Sequence, residues 1–491
     1  MIAGAREDLT MSADLQDEMK KLLYANGYLF VRSERASAPG GWVRTKFAGH
    51  ALIHEPRLKL TLAEDAATGV RIAALGHLCD VRQSLRGVPA VLEALAALPD
   101  EATFLAETDW LCGRFVLIVE RAGRITVVGD ATGNRQIHYH RPSGTVASHP
   151  GLIRRNVPDL VSSGLKIVGR GTPAHHTAYR DVYLLTPNMV LDLPEGTVRR
   201  FWPRAPIPQQ TSQAAAEEMS RYMRAAMVNL MLHYRVRVSL TGGLDSRTTA
   251  AICHDMPTVR FFNYYRSDEI DSDRGDREFF DWFAGWTDHP TEHHDAPSSI
   301  IPKEFAEVLK RNTVQRCISR MAWYWYRHWR DQPDLVHVRS NLSEVGRAVL
   351  ARSGAKMTCA RDMAEIYLQP NKSHLVRDMI TTMDQFEHWA ETVSFFEAAE
   401  KVDALALFQW EFRMATWYGN VVAESDVAVE TIALYNCRKL LEAMLSVSRK
   451  EQLGSMVQRR LIAMNWPRLT TYRVNGKPFW PDGVPEDLAA R

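Results

Sequence analysis

The chain has 491 residues, of which 46% are hydrophobic and 24% charged, and its formal net charge is +2. This length is more than one compact core usually holds, so two domains are expected. The small net charge excludes a general attraction to nucleic acid or anionic membranes, and neither a membrane-spanning apolar run nor a signal pattern occurs, which predicts a cytoplasmic location.

Strand-forming runs dominate the first ~200 residues. Residues 116–120 and 125–128 are β-rich and flank a short polar turn, which predicts a hairpin. A second hairpin is predicted over residues 189–200, with its turn at Pro194-Glu-Gly. A proline-rich stretch without periodicity follows at residues 201–212. We place the domain boundary in that stretch, which predicts domains of residues 1–205 and 206–491.

The hydrophobic period changes after this stretch. Thr211 or Ser212 is predicted to cap a long helix. A strand, a glycine turn, a helix and another strand follow, and this order is typical of a parallel α/β sheet. Beyond Pro302 the pattern is helical apart from one short strand. The predicted elements are helices over residues 214–234 and 248–254 and strands over residues 235–240, 259–264 and 335–338.

The six cysteines lie far apart in the sequence. They form no CxxC pair and no zinc-type cluster with histidine, so we expect reduced thiols that are mostly buried. These residues are Cys79, Cys112, Cys253, Cys317, Cys359 and Cys437.

The strongest chemical signal is the run Ser239-Leu-Thr-Gly-Gly-Leu-Asp-Ser-Arg247. Its two glycines let the backbone approach an anion and present several N–H groups to it, and the dipole of the following helix favours the same charge. Asp245 is a candidate Mg²⁺ ligand, because a cation must separate it from a phosphate. A structural turn is the alternative. The candidate nucleotide-binding residues are Ser239, Leu240, Thr241, Gly242, Gly243, Leu244, Asp245, Ser246 and Arg247, with Asn263 on the next strand.

This run resembles the pyrophosphate-binding loop of ATP pyrophosphatases, whose usual form is SGGxDS, with Thr241 in place of the first serine. The first half resembles the glutaminase domain of the asparagine synthetase family. The segments that carry this resemblance, in the family's order, are residues 110–119 ("L.G.FA"), 130–139 ("D..G.RPLYY"), 147–150 ("FASE") and 186–192 followed by 200–202 ("LPPGH.L…..YW"). The resemblance implies an α/β protein with an N-terminal αββα Ntn-type glutaminase-like domain. It also implies a C-terminal α/β ATP-pyrophosphatase domain, similar to adenine nucleotide α-hydrolases, with added helices, ATP and Mg²⁺.

The amino terminus departs from the family pattern. Active members expose a cysteine directly after the initiator methionine, and its own α-amine serves as the base. This chain begins Met1-Ile2, and its first cysteine is Cys79. We therefore expect an inactive glutaminase-like scaffold, as in the β-lactam synthetases and lasso-peptide cyclases that the whole chain also resembles.

A second acidic segment, residues 335–347, takes the place of the family's metal-binding "GxGSDE" segment. Glu344 is retained and is a candidate metal ligand, whereas Ser343 stands at the aspartate position. Arg347 is a candidate for binding the leaving pyrophosphate, because a guanidinium matches phosphate oxygens. An ordinary helix cap at Ser343 is the alternative.

Adenylation followed by amine attack also calls for a base and a nearby cation. Glu411, flanked by aromatic residues, is the candidate base, and a surface pair with Arg413 is the alternative. Lys477, in a glycine-containing loop near the C-terminus, is the candidate catalytic lysine, with Lys450 as the other choice.

Three other features favour structural interpretations. Residues 321–330 are rich in aromatics and are predicted to form a packed helix rather than a nucleic-acid surface. The pairs His175-His176 and His293-His294 are not expected to form metal sites, because adjacent side chains diverge on a helix or strand. Residues 271–276 are predicted to be a solvated acidic loop.

The sequence thus favours an ATP-dependent ligase or cyclase that adenylates a carboxylate, releases pyrophosphate and joins the acyl group to an amine in specialised-metabolite or modified-peptide biosynthesis. An ammonia-dependent asparagine synthetase and a non-catalytic nucleotide-binding regulatory homologue are the alternatives. The expected partners are small-molecule or peptide carboxylates and amines, without nucleic acid or membrane. A homodimer and a partner biosynthetic protein are left open.

Overall fold

A computed structural model of the chain describes residues 13–33, 35–167, 171–193, 195–266, 270–296, 301–314, 317–369, 378–485 and 487. The strands of these residues form three sheets. Two six-stranded sheets come from the first half and one five-stranded sheet comes from the second. Among the helices in these ranges, none combines the length and the apolar character needed to cross a membrane.

The first half contains twelve described strands in two antiparallel sheets. The strands are β1 (Tyr28–Val31), β2 (Val43–Phe47), β3 (His50–His54), β4 (Leu60–Asp65), β5 (Val70–Asp80), β6 (Leu111–Arg121), β7 (Arg124–Gly129), β8 (His138–His140), β9 (Thr145–Ala147), β10 (Val182–Leu184), β11 (Met189–Leu193) and β12 (Thr197–Arg200). The helices are α1 (Ala13–Lys21), α2 (Val88–Ala96), α3 (Glu101–Glu107) and α4 (Pro150–Asn156), with a 3-10 turn at Thr108–Trp110. The strand orders are β10-β8-β9-β1-β3-β2 and β12-β11-β7-β6-β5-β4.

The two antiparallel sheets share a core and carry helices on their outer faces. Along β5, Ala73 and Leu75 belong to the core between the sheets, whereas Ile72 and Ala74 pack with α2 and α3. Because successive side chains of a strand point to opposite faces, a strand that is covered on both faces is apolar throughout. On the other sheet, α4 packs Leu152 against the outer face. The described part of this half is therefore a four-layered αββα arrangement.

The second half is built around five parallel strands in the order β15-β14-β13-β16-β17. The strands are β13 (Arg235–Ser239), β14 (Arg260–Tyr265), β15 (Thr291–Asp295), β16 (Leu335–Arg339) and β17 (Glu430–Ala433). The helices are α5 (Ser212–His233), α6 (Leu244–Ile252), α7 (Ile270–Ala284), α8 (Lys303–Asn312), α9 (Ser319–Trp329), α10 (Val349–Arg352), α11 (Ala360–Leu368), α12 (Met379–Thr392), α13 (Phe395–Ala399), α14 (Ala404–Phe408), α15 (Gly419–Ser425), α16 (Arg438–Leu445), α17 (Arg449–Gly454) and α18 (Met456–Asn465). Ser343–Arg347 and Pro467–Thr471 are 3-10 turns, and Gln409–Tyr418 is a π-helical segment.

Helices cover both faces of the parallel sheet. In β16, Val336 and Val338 join the large core that includes α5, α6 and α18, whereas Leu335 faces α9. Trp325 and Trp329 of α9 are each 1% exposed, which confirms that the aromatic segment is a packed helix. A parallel sheet needs this double cover, because its strands are apolar on both sides.

The two halves are joined by buried ion pairs as well as by a continuous core. The guanidinium of Arg114 on β6 donates to both carboxylate oxygens of Asp426, at 2.6 and 2.7 Å. Arg135 donates to Glu430 at 2.7 Å. The connection from β12 to α5 runs through the predicted domain boundary, and the division at residue 205 stays a prediction.

The elements differ from the sequence predictions in several places. Residues 271–276 lie in the first turns of α7, so the predicted acidic loop is wrong. The helical spacing of Phe279, Phe280 and Phe283, all buried, is the signal that this prediction overlooked. β15 and β17 were also missed, because each is a short strand that stands alone between helices. The parallel sheet and both hairpins are confirmed, while Pro194 lies outside the described residues.

Local predictions for capping and cysteine burial agree with the structure. The Thr211 hydroxyl accepts a hydrogen bond from the backbone N–H of Ala214 at 3.2 Å and so caps α5. Four of the six cysteines are buried, which confirms the expectation for the thiols. Cys79 and Cys112 face each other across β5 and β6, and their contact and burial raise the pKa of the Cys112 thiol.

Candidate active site

The glycine turn lies at the carboxyl end of the central strand of the parallel sheet. β13 ends at Ser239, and α6 begins at Leu244 directly after Gly243. This edge of a parallel sheet is where ligands bind in open α/β folds, because loops and helix N-termini converge there. The glycine turn and the first turn of α6 therefore present backbone N–H groups at this edge of the sheet.

Hydroxyl groups hold the turn in shape. The Thr241 hydroxyl lies 2.9 Å from that of Ser246, whose oxygen also accepts the Thr241 backbone N–H at 3.0 Å. Next to the turn, the Asn263 amide donates to the carbonyl oxygen of Leu240 at 2.9 Å. The structure thus brings these predicted residues together, and they stabilise the turn from inside.

A carboxylate from α7 approaches the turn. The backbone N–H of Gly242 donates to Oδ1 of Asp276 at 2.8 Å. This N–H group therefore donates to a carboxylate oxygen, the kind of partner expected at an anion-binding turn. Asp276 was not among the predicted site residues, since residues 271–276 were predicted to be a solvated loop and not the start of a helix that reaches the turn.

Arg247 does not serve as the free phosphate donor that the sequence predicts. Its side chain is buried, and its guanidinium donates to the carbonyl oxygens of Gly242 at 2.8 Å, Tyr472 at 2.9 Å and Leu469 at 3.3 Å, and also to that of Arg473. Burial lowers its pKa to about 10. Arg247 instead holds residues 469–473 against the glycine turn.

Two segments that are far apart in sequence meet beside the turn. Arg347 Nη1 lies 2.7 Å from both carboxylate oxygens of Asp245, and the Ser343 hydroxyl also donates to this carboxylate. The meeting follows from topology, because β13 and β16 are adjacent parallel strands whose carboxyl ends share one edge. Arg347 also donates to the Ser455 hydroxyl at 3.2 Å.

Glu344 is the second carboxylate of this site. Its Oε2 is buried without a hydrogen-bond partner in the described structure. Burial and the nearby charge of Asp245 raise its pKa, while Arg347 and Arg413 act in the opposite direction. An unpartnered carboxylate oxygen beside a second carboxylate favours either a proton or a metal ion.

Glu411 lies at the contact between the two halves. Its side chain is fully buried, and its oxygens accept from Arg200 at 2.5 and 2.8 Å and from the Asn188 amide at 2.8 Å. This pairing weighs against the predicted base, because both oxygens are already occupied by donors. The predicted surface pair with Arg413 is also wrong, since the partner is Arg200 of β12.

The two candidate lysines are exposed. Lys477 follows Asn475 and Gly476, both with positive φ, and its backbone pairs with Val474 in a tight turn. This turn begins just after Arg473, whose carbonyl oxygen is fixed by Arg247. Lys450 lies on α17. The structure thus connects the Lys477 turn to the glycine turn through the contact between Arg473 and Arg247. The choice between Lys477 and Lys450 stays a prediction.

A small cavity lies among helices of the second half. Its volume is about 170 Å³, and it is lined by Leu350, Ile366, Tyr367, Gln369, Phe408, Phe412 and Arg413. Arg413 connects this cavity to the site, because its charge acts on Glu344. Most of its lining side chains are apolar and Arg413 supplies one positive charge, a combination that suits a small acyl group.

Comparison with known proteins leaves the family of the chain open. No family profile matches it, and no curated protein matches it. One similar solved structure is glutamine phosphoribosylpyrophosphate (PRPP) amidotransferase from B. subtilis complexed with ADP and GMP, at 11% identity and a TM-score of 0.21 over 68% of this chain and 74% of that one. Another is an allosteric regulatory enzyme of purine biosynthesis, at 12% identity and a TM-score of 0.22 over 70% and 75%. Scores this low carry no conclusion about fold or function.

Proposed function

We propose that the chain binds ATP and Mg²⁺ at the glycine turn and adenylates a substrate carboxylate, which it then joins to an amine. The proposal assigns the second half to the asparagine synthetase-like ATP pyrophosphatases. One observation carries it: the charge of Asp245 acts on the buried carboxyl group of Glu344 beside a turn whose Gly242 N–H donates to a carboxylate. Two neighbouring carboxylates at an anion site are repulsive unless a divalent cation joins them to the phosphates.

Each part of the site has a separate role in the proposed reaction. Backbone N–H groups of the turn, among them that of Gly242, which donates to Asp276 in the structure, and the N-terminus of α6 would bind phosphate oxygens. Asp245 and Glu344 would hold Mg²⁺, which supplies charge neutralisation on the phosphates. Arg347 is bound to Asp245 in the structure, and its guanidinium would be available to the leaving pyrophosphate if Asp245 held the cation instead.

The proposed reaction has two steps. A carboxylate oxygen of the substrate attacks the α-phosphorus of ATP, the bond from that phosphorus to the bridging oxygen breaks, and pyrophosphate leaves. A neutral amine then attacks the acyl carbon, AMP leaves, and the amine loses a proton. The cavity beside Arg413 is the proposed place for the acyl group, and Lys477 remains the proposed cation for the second step.

Pyrophosphate release tests this function directly. Wild-type protein, ATP and Mg²⁺ are incubated with a panel of amino-acid and peptide carboxylates, beside Asp245→Asn and the control Asp288→Asn. Asp288 is exposed and lies outside the site. We expect release that depends on one carboxylate, a loss of about 100-fold or more in Asp245→Asn, and no change in the control.

A specific contact favours one alternative. Arg347 and Ser343 both bind Asp245, and this pairing competes with a metal ion. A non-catalytic nucleotide-binding protein would bind ATP yet release no pyrophosphate with any carboxylate. An ammonia-dependent synthetase would release pyrophosphate with aspartate, and its amide product would require added ammonium.

A further inference from the structure

Three histidines converge at a place that the proposed function does not use. His175 and His176 precede β10 in the first half, and His388 lies on α12 in the second. His175 Nε2 lies 3.0 Å from His388 Nδ1, and one ring nitrogen from each of the three histidines lies within 4.8 Å of the other two. The cluster therefore joins segments that are 213 residues apart.

This convergence contradicts the expectation that the two adjacent side chains diverge. His175 and His176 lie in an irregular segment before β10, where the rule for adjacent side chains on a helix or strand does not apply. Their ring centroids are 4.9 Å apart, and each ring also contacts that of His388. The third histidine is distant in sequence, so no local pattern could reveal it.

The geometry is close to that of a metal site. Zinc binds imidazole nitrogens at about 2.0–2.1 Å in a tetrahedron, which places two ligand nitrogens about 3.3 Å apart. The nitrogens of His175 and His388 are nearly at that separation. The third ring is that of His176, whose ligand nitrogen lies within 4.8 Å of the other two, so it requires a shift of about 1.5 Å at most to reach the same separation.

The surroundings also suit a metal ligand. His175 is buried, and burial together with the neighbouring imidazoles lowers its pKa well below the usual value; for His176 the pKa falls to about 4. Neutral imidazoles keep the lone pairs that a metal needs. His176 Nε2 also lies 3.3 Å from the carbonyl oxygen of Gln385, the kind of partner that orients a ligating histidine.

We propose that His175, His176 and His388 bind one zinc ion, with a water molecule as the fourth ligand. Nitrogen ligands favour zinc over Mg²⁺, so this site is distinct from the one at Asp245. The ion ties the loop before β10 to α12 and so stabilises the contact between the two halves. The exposure of His388 leaves one side of the site open to water.

The test uses the full chain without a histidine tag, stripped of metal by a chelator. Zinc binding is measured by calorimetry, and cobalt is used as a spectroscopic substitute, since four-coordinate cobalt absorbs in the visible. The variants are His388→Ala and the control His328→Ala, an exposed histidine on α9. Both lie on the surface of helices, so both should fold, and the unfolding midpoint without metal checks this.

We expect one zinc ion per chain for the wild type and His328→Ala, with tetrahedral cobalt absorption. His388→Ala should weaken binding by about 100-fold or more. Zinc at about 100 times the dissociation constant should shift the unfolding equilibrium of the wild type about 100-fold toward the folded state, and this shift should vanish in His388→Ala. No zinc uptake by the wild type, or equal binding by His388→Ala, would overturn the proposal.

Discussion

Replacing Glu411 separates a structural role from a catalytic one. The carboxylate is fully buried and accepts two hydrogen bonds from Arg200 and one from Asn188. Glu411→Gln keeps the shape but removes the charge that balances Arg200. We expect the variant to lose stability while folded molecules keep their activity, because both carboxylate oxygens of Glu411 are already bound by Arg200 and Asn188.

The magnitude follows from the burial of the pair. Removing one partner of a buried ion pair costs about 3–5 kcal/mol, since the other charge stays without compensation. Arg200 is 11% exposed, so water compensates it only slightly. We therefore expect Glu411→Gln to lower the free energy of unfolding by about 3 kcal/mol. The exposed pair Arg224–Asp255 is the matched control, and Asp255→Asn should cost less than about 1 kcal/mol.

Urea unfolding followed by tryptophan fluorescence measures the loss. Trp202 and Trp410, two of the 13 tryptophans, lie in contact at this interface, with ring centroids 4.5 Å apart. A double-mutant cycle with Arg200→Met should show that the two costs are not additive. Pyrophosphate and amide formation per folded molecule are measured in parallel and should stay within about tenfold of the wild type. Unchanged stability with a loss of amide formation above about 100-fold would refute the reasoning and restore Glu411 as the base.

Three further changes test other parts of the structure. In Gly346→Ala the new methyl group would overlap the Met444 side chain, so the free energy of unfolding should fall by about 1–3 kcal/mol in the same urea assay. Arg247→Met removes the hydrogen bonds that hold Pro467–Thr471 and the following residues, so hydrogen exchange should accelerate there by about tenfold or more. The raised pKa of Glu344 means that the folded state binds its proton more tightly than the unfolded chain, so stability should fall as pH rises from 4.5 through the raised pKa. Glu344→Gln should remove this fall, which unfolding midpoints across that range would show.

Each of these predictions has an outcome that contradicts it. Unchanged stability in Gly346→Ala would mean that Met444 moves aside at no cost. Exchange in the C-terminal segment that is no faster in Arg247→Met than in Arg224→Met would show that the buried guanidinium does not hold it. An identical pH profile for wild type and Glu344→Gln would remove Glu344 as the titrating group.

The sequence predicted the parts of the site that depend on local pattern. The strand, the glycine turn and α6 follow one another within a few residues, and each has its own composition, so their order and place at the sheet edge were predictable. The same holds for the Thr211 cap. The parallel sheet followed from the alternation of strand and helix, because that alternation forces crossovers.

Long-range pairings could not be predicted in this way. Arg347 and Asp245 are 102 residues apart, and Arg200 and Glu411 are 211 apart. Their contacts depend on which strands become neighbours and on how helices pack, and no local signal encodes either. The sequence therefore offered Arg347 as a candidate without showing its contact with Asp245, and no local pattern indicated that Arg247 would donate to backbone carbonyl oxygens.

Transfer of a labelled oxygen tests the central claim most directly. The carboxylate that supports pyrophosphate release is prepared with ¹⁸O in its carboxyl group and incubated with the wild-type protein, ATP, Mg²⁺ and the amine. Attack on the α-phosphorus predicts that one labelled oxygen appears in AMP once the amide forms. Label in inorganic phosphate, or ATP binding without pyrophosphate release for every carboxylate in the panel, would contradict the account.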